Sequence, residues 1–381
     1  MTDDRAEVVI IGGGVMGAST AFHLAEAGVD VMLIERDELA SGSTVRAAGG
    51  VRANFSDELN IALGLRSLEA FERFGARPGQ DIDLHQPGYL FVLTRPEDVA
   101  LFEASTVLQN AMGVPSRMLT PAEAQQLSPL LHVDDVIAAQ YSPRDGHCAP
   151  ESVVLGYAAG VRRLGGRVRT HTSVTGIDIE GGRITGVQTT GGRIATGVVI
   201  DCAGAWSPQV AAMVGLDLPV VPVRREIVVT EPMPALPEAL AFTIDYATSF
   251  YFHREGQGLL MGYSDPRAQP GFDTSRTEGF LEGLASLAVH RAPGVLDAGI
   301  RTGWAGLYEV TPDHNALLGE WPGVSRFLYA TGFSGHGFLQ GPAVGEVLRD
   351  LVLGQRTVVD VRPLRVERFA EGALRPERNI V

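Results

Sequence analysis

Three glycines in the pattern G-x-G-x-x-G, at Gly12, Gly14 and Gly17, follow a short apolar run and open a stretch with helical spacing. That order suits a pyrophosphate. The first glycine permits a tight turn and the second lets backbone approach the phosphates. The third allows close packing of helix on strand, while the helix N-terminus attracts negative charge. Glu35 closes a second apolar run about 20 residues farther on, where a carboxylate binds ribose hydroxyls and disfavours a 2'-phosphate. Alone, the glycines would also serve a structural turn; with Glu35 they mark a dinucleotide site.

Other segments decide between dinucleotides. Ser41, Gly42, Ser43, Thr44 and Arg46 place hydroxyls and a cation after the second apolar run, suited to a second phosphate and the inner edge of a flavin, although the composition is also that of an ordinary loop. Val198 to Trp206, VVIDCAGAW, reads as a buried strand breaking at Ala203-Gly204, where backbone passes close to a ligand or simply turns. Ala330 to Gly341, ATGFSGHGFLQG, is the most distinctive stretch. Gly332, Gly335 and Gly337 strip side chains from one surface, and the helix that follows, expected over Gly341 to Leu353, offers its N-terminus to an anionic reduced flavin. His336 fits a turn role or a catalytic one. Together these features point to FAD.

The elements that must position these residues follow from periodicity. Glu7 to Ile11 and Val29 to Ile34 read as strands flanking a helix from Val15 to Ala27, a βαβ unit. Helices are predicted near Asp57 to Phe74, Arg95 to Met112, Pro121 to Leu127 (capped by Thr120), Pro150 to Leu164 and Thr277 to Ala292. Strands are predicted at Tyr89 to Leu93, Arg167 to Arg169, Val174 to Glu180, Arg183 to Thr190 and Phe327 to Ala330. From Val220 to about Gly319 strands rich in Pro, Tyr, Phe and Trp dominate, as in a separate sheet domain.

At 381 residues the chain exceeds one ordinary hydrophobic core, so two joined domains are expected. A net charge of -14 argues against nucleic acid or an anionic membrane as partner. Cys148 and Cys202 lack metal-ligand spacing, so neither a disulfide framework nor a metal site is expected. The polar, acidic start from Met1 to Ala6 lacks the basic and apolar regions of a signal peptide, and no apolar run is long enough to span a membrane. A cytoplasmic protein is the expectation.

These residues resemble the flavin-dependent amino acid oxidases and dehydrogenases that include glycine oxidase, sarcosine oxidase and D-amino acid dehydrogenase. The matching pieces are VVIIGGGVMGAST at Val8 to Thr20, SGSTVRAAGGVR at Ser41 to Arg52, VVIDCAGAW, WAGLYEVTPDHNALLG at Trp304 to Gly319, and GFSGHGF at Gly332 to Phe338. GLYEVTPDHN looks most like the sarcosine oxidase beta subunit and L-proline dehydrogenase beta subunit branch. The resemblance implies an α/β FAD-binding Rossmann-like domain from 1-80, 148-219 and 320-381. It also implies an α+β substrate domain, with a mixed, largely antiparallel sheet, from 81-147 and 220-319. The implied cofactor contacts are Gly12, Gly14, Val15, Met16, Gly17, Glu35, Arg36, Ser43, Thr44, Arg46, Ala48, Gly49, Gly50, Val174, Ala203, Gly204, Trp206, Gly306, Gly332, Ser334, Gly335, His336, Gly337 and Phe338.

At the substrate end, Arg52 and Arg225 match arginines that bind a substrate carboxylate in relatives, and Tyr251 falls where relatives place a carboxylate-binding tyrosine. Guanidinium geometry suits that task. Without the resemblance each arginine reads as an ion pair and Tyr251 as core. Tyr308 stands where many D-amino acid and glycine enzymes use an arginine. Ala305 replaces the cysteine that carries covalent flavin in monomeric sarcosine oxidase, so FAD is expected to be non-covalent. Leu260 and Leu339 replace two lysines, the first of which assists reaction with oxygen.

The implied reaction is hydride transfer from the carbon bearing the amine of a small amino acid or N-alkyl amino acid to flavin N5, giving an imine that hydrolyses. The expected acceptor of the electrons is a quinone, a carrier protein, a partner subunit or oxygen, with dehydrogenase favoured over oxidase. No dedicated base stands out; His253, His314 and His336 are candidates that also fit structural roles. Two alternatives are a D-amino acid dehydrogenase and a flavin-bearing electron-transfer or assembly subunit.

Overall fold

The computed structural model describes residues 4–380. The expected polar start therefore lies outside the described residues at Met1 to Asp3, as does Val381 at the end of the expected cofactor segment.

The apolar run at Val8–Ile11 is buried at all four positions, as a strand covered on both faces must be. It forms the centre of a six-stranded sheet ordered Leu317–Glu320, Phe327–Thr331, Val198–Asp201, Val8–Ile11, Val31–Ile34, Arg167–Arg169. All neighbours are parallel except the Leu317–Glu320 edge. Helices Val15–Glu26, Glu58–Glu72, Pro150–Arg163 and Gly337–Leu353 pack over one face, sharing a core with Phe22, Phe71, Tyr157 and Val344. A smaller four-stranded sheet covers the other face through Ile184, Val187 and Ile194.

The second layer is an eight-stranded sheet ordered Ile300–Val310, Val221–Thr230, Gly258–Tyr263, Tyr251–Glu255, Phe242–Asp245, Tyr89–Leu93, Ala138–Ser142, Arg117–Leu119. Only Phe242–Asp245 with Tyr89–Leu93 is parallel, so the sheet is mixed and largely antiparallel. Helix Glu278–Arg291 packs on one face, and its buried Arg291 reaches Asp245 at 2.9 Å and Asp135 at 2.8 Å. The architecture is thus a Rossmann-like parallel sheet joined to an antiparallel-rich one.

Local signals account for several element ends. Asp57 accepts the Leu59 amide at 2.9 Å, opening Glu58–Glu72 one residue later than expected. Thr120 and Glu123 form a reciprocal capping box that starts Pro121–Leu127. One boundary differs by a full turn: the last helix begins at Gly337, not Gly341. Pro342, the second residue of the expected helix, sits only five residues inside the observed N-terminus. The single helical bond it forgoes is offset by burial of Phe338, Leu339 and Gln340. The strands Arg117–Leu119, Ala138–Ser142, Gly192–Ala195 and Leu317–Glu320 are additional to the expected ones.

Candidate active site

The strand Val8–Ile11 delivers its chain to Gly12, whose φ of +109° favours glycine, and a Cβ there would run into the Cys202 carbonyl. The adjoining helix has no side-chain cap at Gly14; apart from Val15, its first amides have no side-chain partner among the described residues and are open to a ligand. Glu35, at the end of Val31–Ile34, accepts the Gly13 amide at 2.6 Å and the Asp37 amide at 2.9 Å. Thr44 Oγ1 accepts the Val15 amide at 3.2 Å, drawing the serine-rich loop over the same helix end. Ser43 Oγ donates to the Leu307 carbonyl at 2.8 Å, and the Arg46 carbonyl accepts from Trp304 Nε1 at 3.1 Å. These bonds sew the cofactor loop to the edge strand of the second sheet.

Between the two sheets runs a cavity of about 630 Å³, extending from Gly12, Glu35 and Arg36 to Arg225, Tyr251 and His336. Of the residues expected from sequence, Gly14, Val15, Met16, Ser43, Thr44, Arg46, Ala48, Gly49, Gly50, Val174, Ala203, Gly204, Trp206, Gly306, Ser334, Gly335, Gly337 and Phe338 also line it, as do Arg52 and Tyr308. Gly17 and Gly332 do not. A Cβ on Gly17 would strike the Gly12 carbonyl and one on Gly332 would strike Thr311, so both serve close packing behind the wall. His253 stands behind the wall too, its ring bridging the Ala48 and Arg254 carbonyls, and His314 occupies a positive-φ turn away from the cavity.

At the outer end the Arg36 guanidinium lies 4.0 Å from the Trp206 ring, which stacks on Phe272 at 5.4 Å. At the inner end, Arg225 and Arg52 differ. Arg225 donates from Nη1 to the Arg224 carbonyl at 3.0 Å and lies 4.9 Å from the Tyr308 ring. Its Nε is buried without a partner among the described residues. Arg52 is already engaged, donating to the Asn54 carbonyl at 3.2 Å, Asn54 Oδ1 at 3.1 Å and the Asn379 carbonyl at 2.6 Å, over the Phe55 ring at 4.0 Å. Sequence offers no sign of this last contact, which spans nearly the whole chain.

Burial sets the protonation states around them. Tyr89, Tyr251 and Tyr308 are pushed up by desolvation and stay phenols. His336 is pushed down to about 3, by burial first and then by Arg52, so its ring is neutral, and neither nitrogen has a partner among the described residues. Sequence reasoning passed over Tyr89, Phe242, Ile380 and Glu309 as lining residues. Glu309 sits in a motif that was legible, and only its depth was not: burial pushes its carboxyl up to about 7. Among the described residues no group of three or more His, Cys, Asp or Glu could hold a metal, and no helix is long and apolar enough to cross a membrane.

FAD fits these residues. The open helix amides and Gly12 turn suit a pyrophosphate, Glu35 a ribose, and Arg46, with no ion pair among the described residues, a second phosphate.

The model of the family DAO, FAD dependent oxidoreductase, matches residues 7–351. The chain is 32% identical to mouse mitochondrial dimethylglycine dehydrogenase over 97% of its own length but 44% of the relative's. It thus spans less than half of that protein. Glycine oxidase of Geobacillus kaustophilus is 30% identical, covering 96% of this chain and 97% of the relative. The solved L-proline dehydrogenase of P. horikoshii superposes with a TM-score of 0.93 at 33% identity, covering 98% of this chain and all of that one. With the cavity's glycine turn at one end and its arginines and tyrosines at the other, the chain belongs to the DAO family of FAD-dependent oxidoreductases, and its cofactor is FAD.

Proposed function

We propose that the protein oxidises a small amino acid or N-alkyl amino acid, of the sarcosine, dimethylglycine, proline or glycine kind, and passes the electrons to an acceptor other than oxygen. The observation that carries the substrate class is Arg225, a guanidinium with open donors in a cavity also walled by Tyr251, Tyr308, Phe242 and Ile244. A carboxylate docked on that fork would be oriented with its amine-bearing carbon toward the glycine-lined wall at Gly335 and Gly337. The sheet memberships support assigning 1-80, 148-219 and 320-381 to FAD and 81-147 with 220-319 to substrate, except that the strand Leu317–Glu320 joins the six-stranded FAD sheet and moves that boundary to before Leu317.

Bound FAD supplies a two-electron acceptor for hydride at N5. The chain's own residues do the rest. Arg225 holds the carboxylate, with Tyr251 and Tyr308 as neutral hydrogen-bonding groups beside it. His336, neutral and unpaired, adds no second positive charge near the amine. The apolar walls desolvate the amine and favour its neutral form. Helix Gly337–Leu353 directs its open N-terminus at the cavity, where it would stabilise negative charge gained on reduction.

Dehydrogenase chemistry is favoured by composition: all 31 basic residues counted as Lys plus Arg are arginines, so no lysine exists to assist oxygen. Leu339 lines the cavity where a relative has one, and Leu260 is buried away from it. The test is turnover with a redox dye against turnover with oxygen, on sarcosine, dimethylglycine, L-proline and glycine. Faster dye reduction supports this reading, and equal or faster hydrogen peroxide formation assigns an oxidase instead.

A further inference from the structure

Glu309 has no obvious task in holding either substrate or a cofactor phosphate, yet it lies in the wall of the FAD cavity near the last residues of the strand Ile300–Val310. Its surroundings are built from small residues. A Cβ placed on Gly204 would come within 3.4 Å of one carboxyl oxygen, and one on Gly337 within 3.5 Å of the other. Both glycines line the cavity, and Gly337 is the first residue of the helix whose amides face it. The carboxyl therefore occupies space between the backbones at Gly204 and Gly337 in the cavity wall.

One of its hydrogen bonds leaves room for a proton on the carboxyl. Thr331 Oγ1 lies 3.0 Å from the Gly204 carbonyl and 2.9 Å from Glu309 Oε2. A hydroxyl has one hydrogen to donate, and the Gly204 carbonyl can only accept it. A protonated Glu309 completes the pair by donating to Thr331. Burial favours the acid, while the Thr331 hydroxyl when it donates and the amides of Gly332 and Phe333 favour the carboxylate, so the group is poised between forms rather than fixed in one. Among the described residues no cationic side chain pairs with it. The titratable groups facing it are Asp201, whose Oδ1 accepts from Ala203 N and Ser207 Oγ while Oδ2 has no partner, and the buried thiol of Cys202. Burial pushes the Asp201 carboxyl up to about 7 as well, and Glu309 opposes its ionisation.

We propose that Glu309 is the proton site coupled to the redox state of the bound FAD, binding a proton from solvent when the cofactor is reduced and releasing it when the cofactor is reoxidised. The balance is simple. Oxidised flavin gains two electrons and one proton to give the anionic reduced form, and the Glu309 carboxylate gains a second proton from solvent. Reoxidation returns both electrons to the acceptor and both protons to solvent. The added negative charge raises the proton affinity of the adjacent carboxyl, so coupling is expected from near pH 7 upward until the reduced-state carboxyl itself ionises. The inference rests on FAD binding alone and not on the identity of the substrate.

The test uses the FAD-loaded full chain and a chemical reductant, so a wrong substrate assignment cannot affect it. The midpoint potential is measured against pH. Each proton taken up with two electrons contributes about 30 mV per pH unit. The wild type is expected to fall by about 60 mV per unit from about one unit above pH 7, and Glu309→Gln by about 30 mV per unit over the same range. Equal slopes in the two proteins overturn the proposal, as does loss of the extra slope in Asp201→Asn with its retention in Glu309→Gln. Should Glu309→Gln lose FAD, the wild-type protein decides the matter by reduced-minus-oxidised infrared spectra at pH 8. A protonated-carboxyl band that grows on reduction and shifts with carbon-13 glutamate supports the inference. A band that shifts only with carbon-13 aspartate, or no band, refutes it.

Discussion

Replacing Arg225 by Met keeps most of the aliphatic stem and removes the fork. In the structure that fork spends one donor on the Arg224 carbonyl, and its Nε has no partner among the described residues. Little of the fold depends on it: the contact over the Tyr308 ring at 4.9 Å is worth about 1 kcal/mol. Its proposed work is with substrate. Removing one partner of a desolvated, hydrogen-bonded charge pair costs about 3–5 kcal/mol, and the cavity is open enough that the lower figure applies. At about 1.4 kcal/mol per decade, kcat/KM should fall by roughly a hundredfold. Most of that loss should appear in KM, because the carboxylate contact is made before and during the reaction alike. The assay is anaerobic steady-state turnover with a redox dye, beside FAD content and thermal midpoint, which should change little. If KM stays within about threefold while Arg52→Met raises it a hundredfold, the anchor is Arg52 and the reasoning from open donors is wrong.

Arg52→Met should act on stability first, since it strips three hydrogen bonds from the buried Asn54 and from Asn379. Orphaned acceptors cost about 1–3 kcal/mol each, so a melting point lowered by several degrees is expected and an unchanged one speaks against the contact. Glu35→Ala should weaken FAD binding by about tenfold or more, through loss of a charge-assisted acceptor worth about 1.5–3 kcal/mol, read by titrating apoprotein with FAD. Unchanged affinity would detach Glu35 from the cofactor. Gly335→Ala forces a Cβ into the Tyr308 ring at a φ of +103°, and should lower stability and perturb substrate binding together. His336→Gln tests protonation. With His336 held neutral down to about 3 when folded but titrating near 6.5 when unfolded, the unfolded chain binds the extra proton below that point. Wild type should therefore lose stability relative to the variant by about 1.4 kcal/mol per pH unit as pH falls from 6 to 4. A gap independent of pH would mean the ring is charged or exposed.

What could be read from sequence was local or strongly spaced. Gly12, Gly14 and Glu35 belong to one βαβ unit, and the backbone need at each is set within a few tens of residues. The capping box at Thr120 and Glu123 is likewise complete within four residues. Glycine at 17 was legible with its reason, close packing of helix on strand, but glycine at 332 was not, because the atom a side chain would strike belongs to Thr311 rather than to a ligand. Arg52 was found as a cation, but its partner Asn379 is brought to it only by the closing turns of the chain. Glu309 escaped notice because a charged residue on an edge strand ordinarily faces solvent. Its depth arises from Phe327–Thr331 and the Gly337–Leu353 helix packing against it. Short edge strands such as Arg117–Leu119 carry too few residues for a period to show.

The most direct measurement is anaerobic mixing of the purified FAD-loaded protein with sarcosine, dimethylglycine, L-proline, glycine and a set of D-amino acids while the visible flavin absorbance is followed. The expected result is bleaching by one or more of the small or N-alkylated compounds, with colour restored quickly by a quinone or redox dye and slowly by oxygen. A flavin that bleaches with dithionite but with no amino acid of the panel would contradict the proposed reaction.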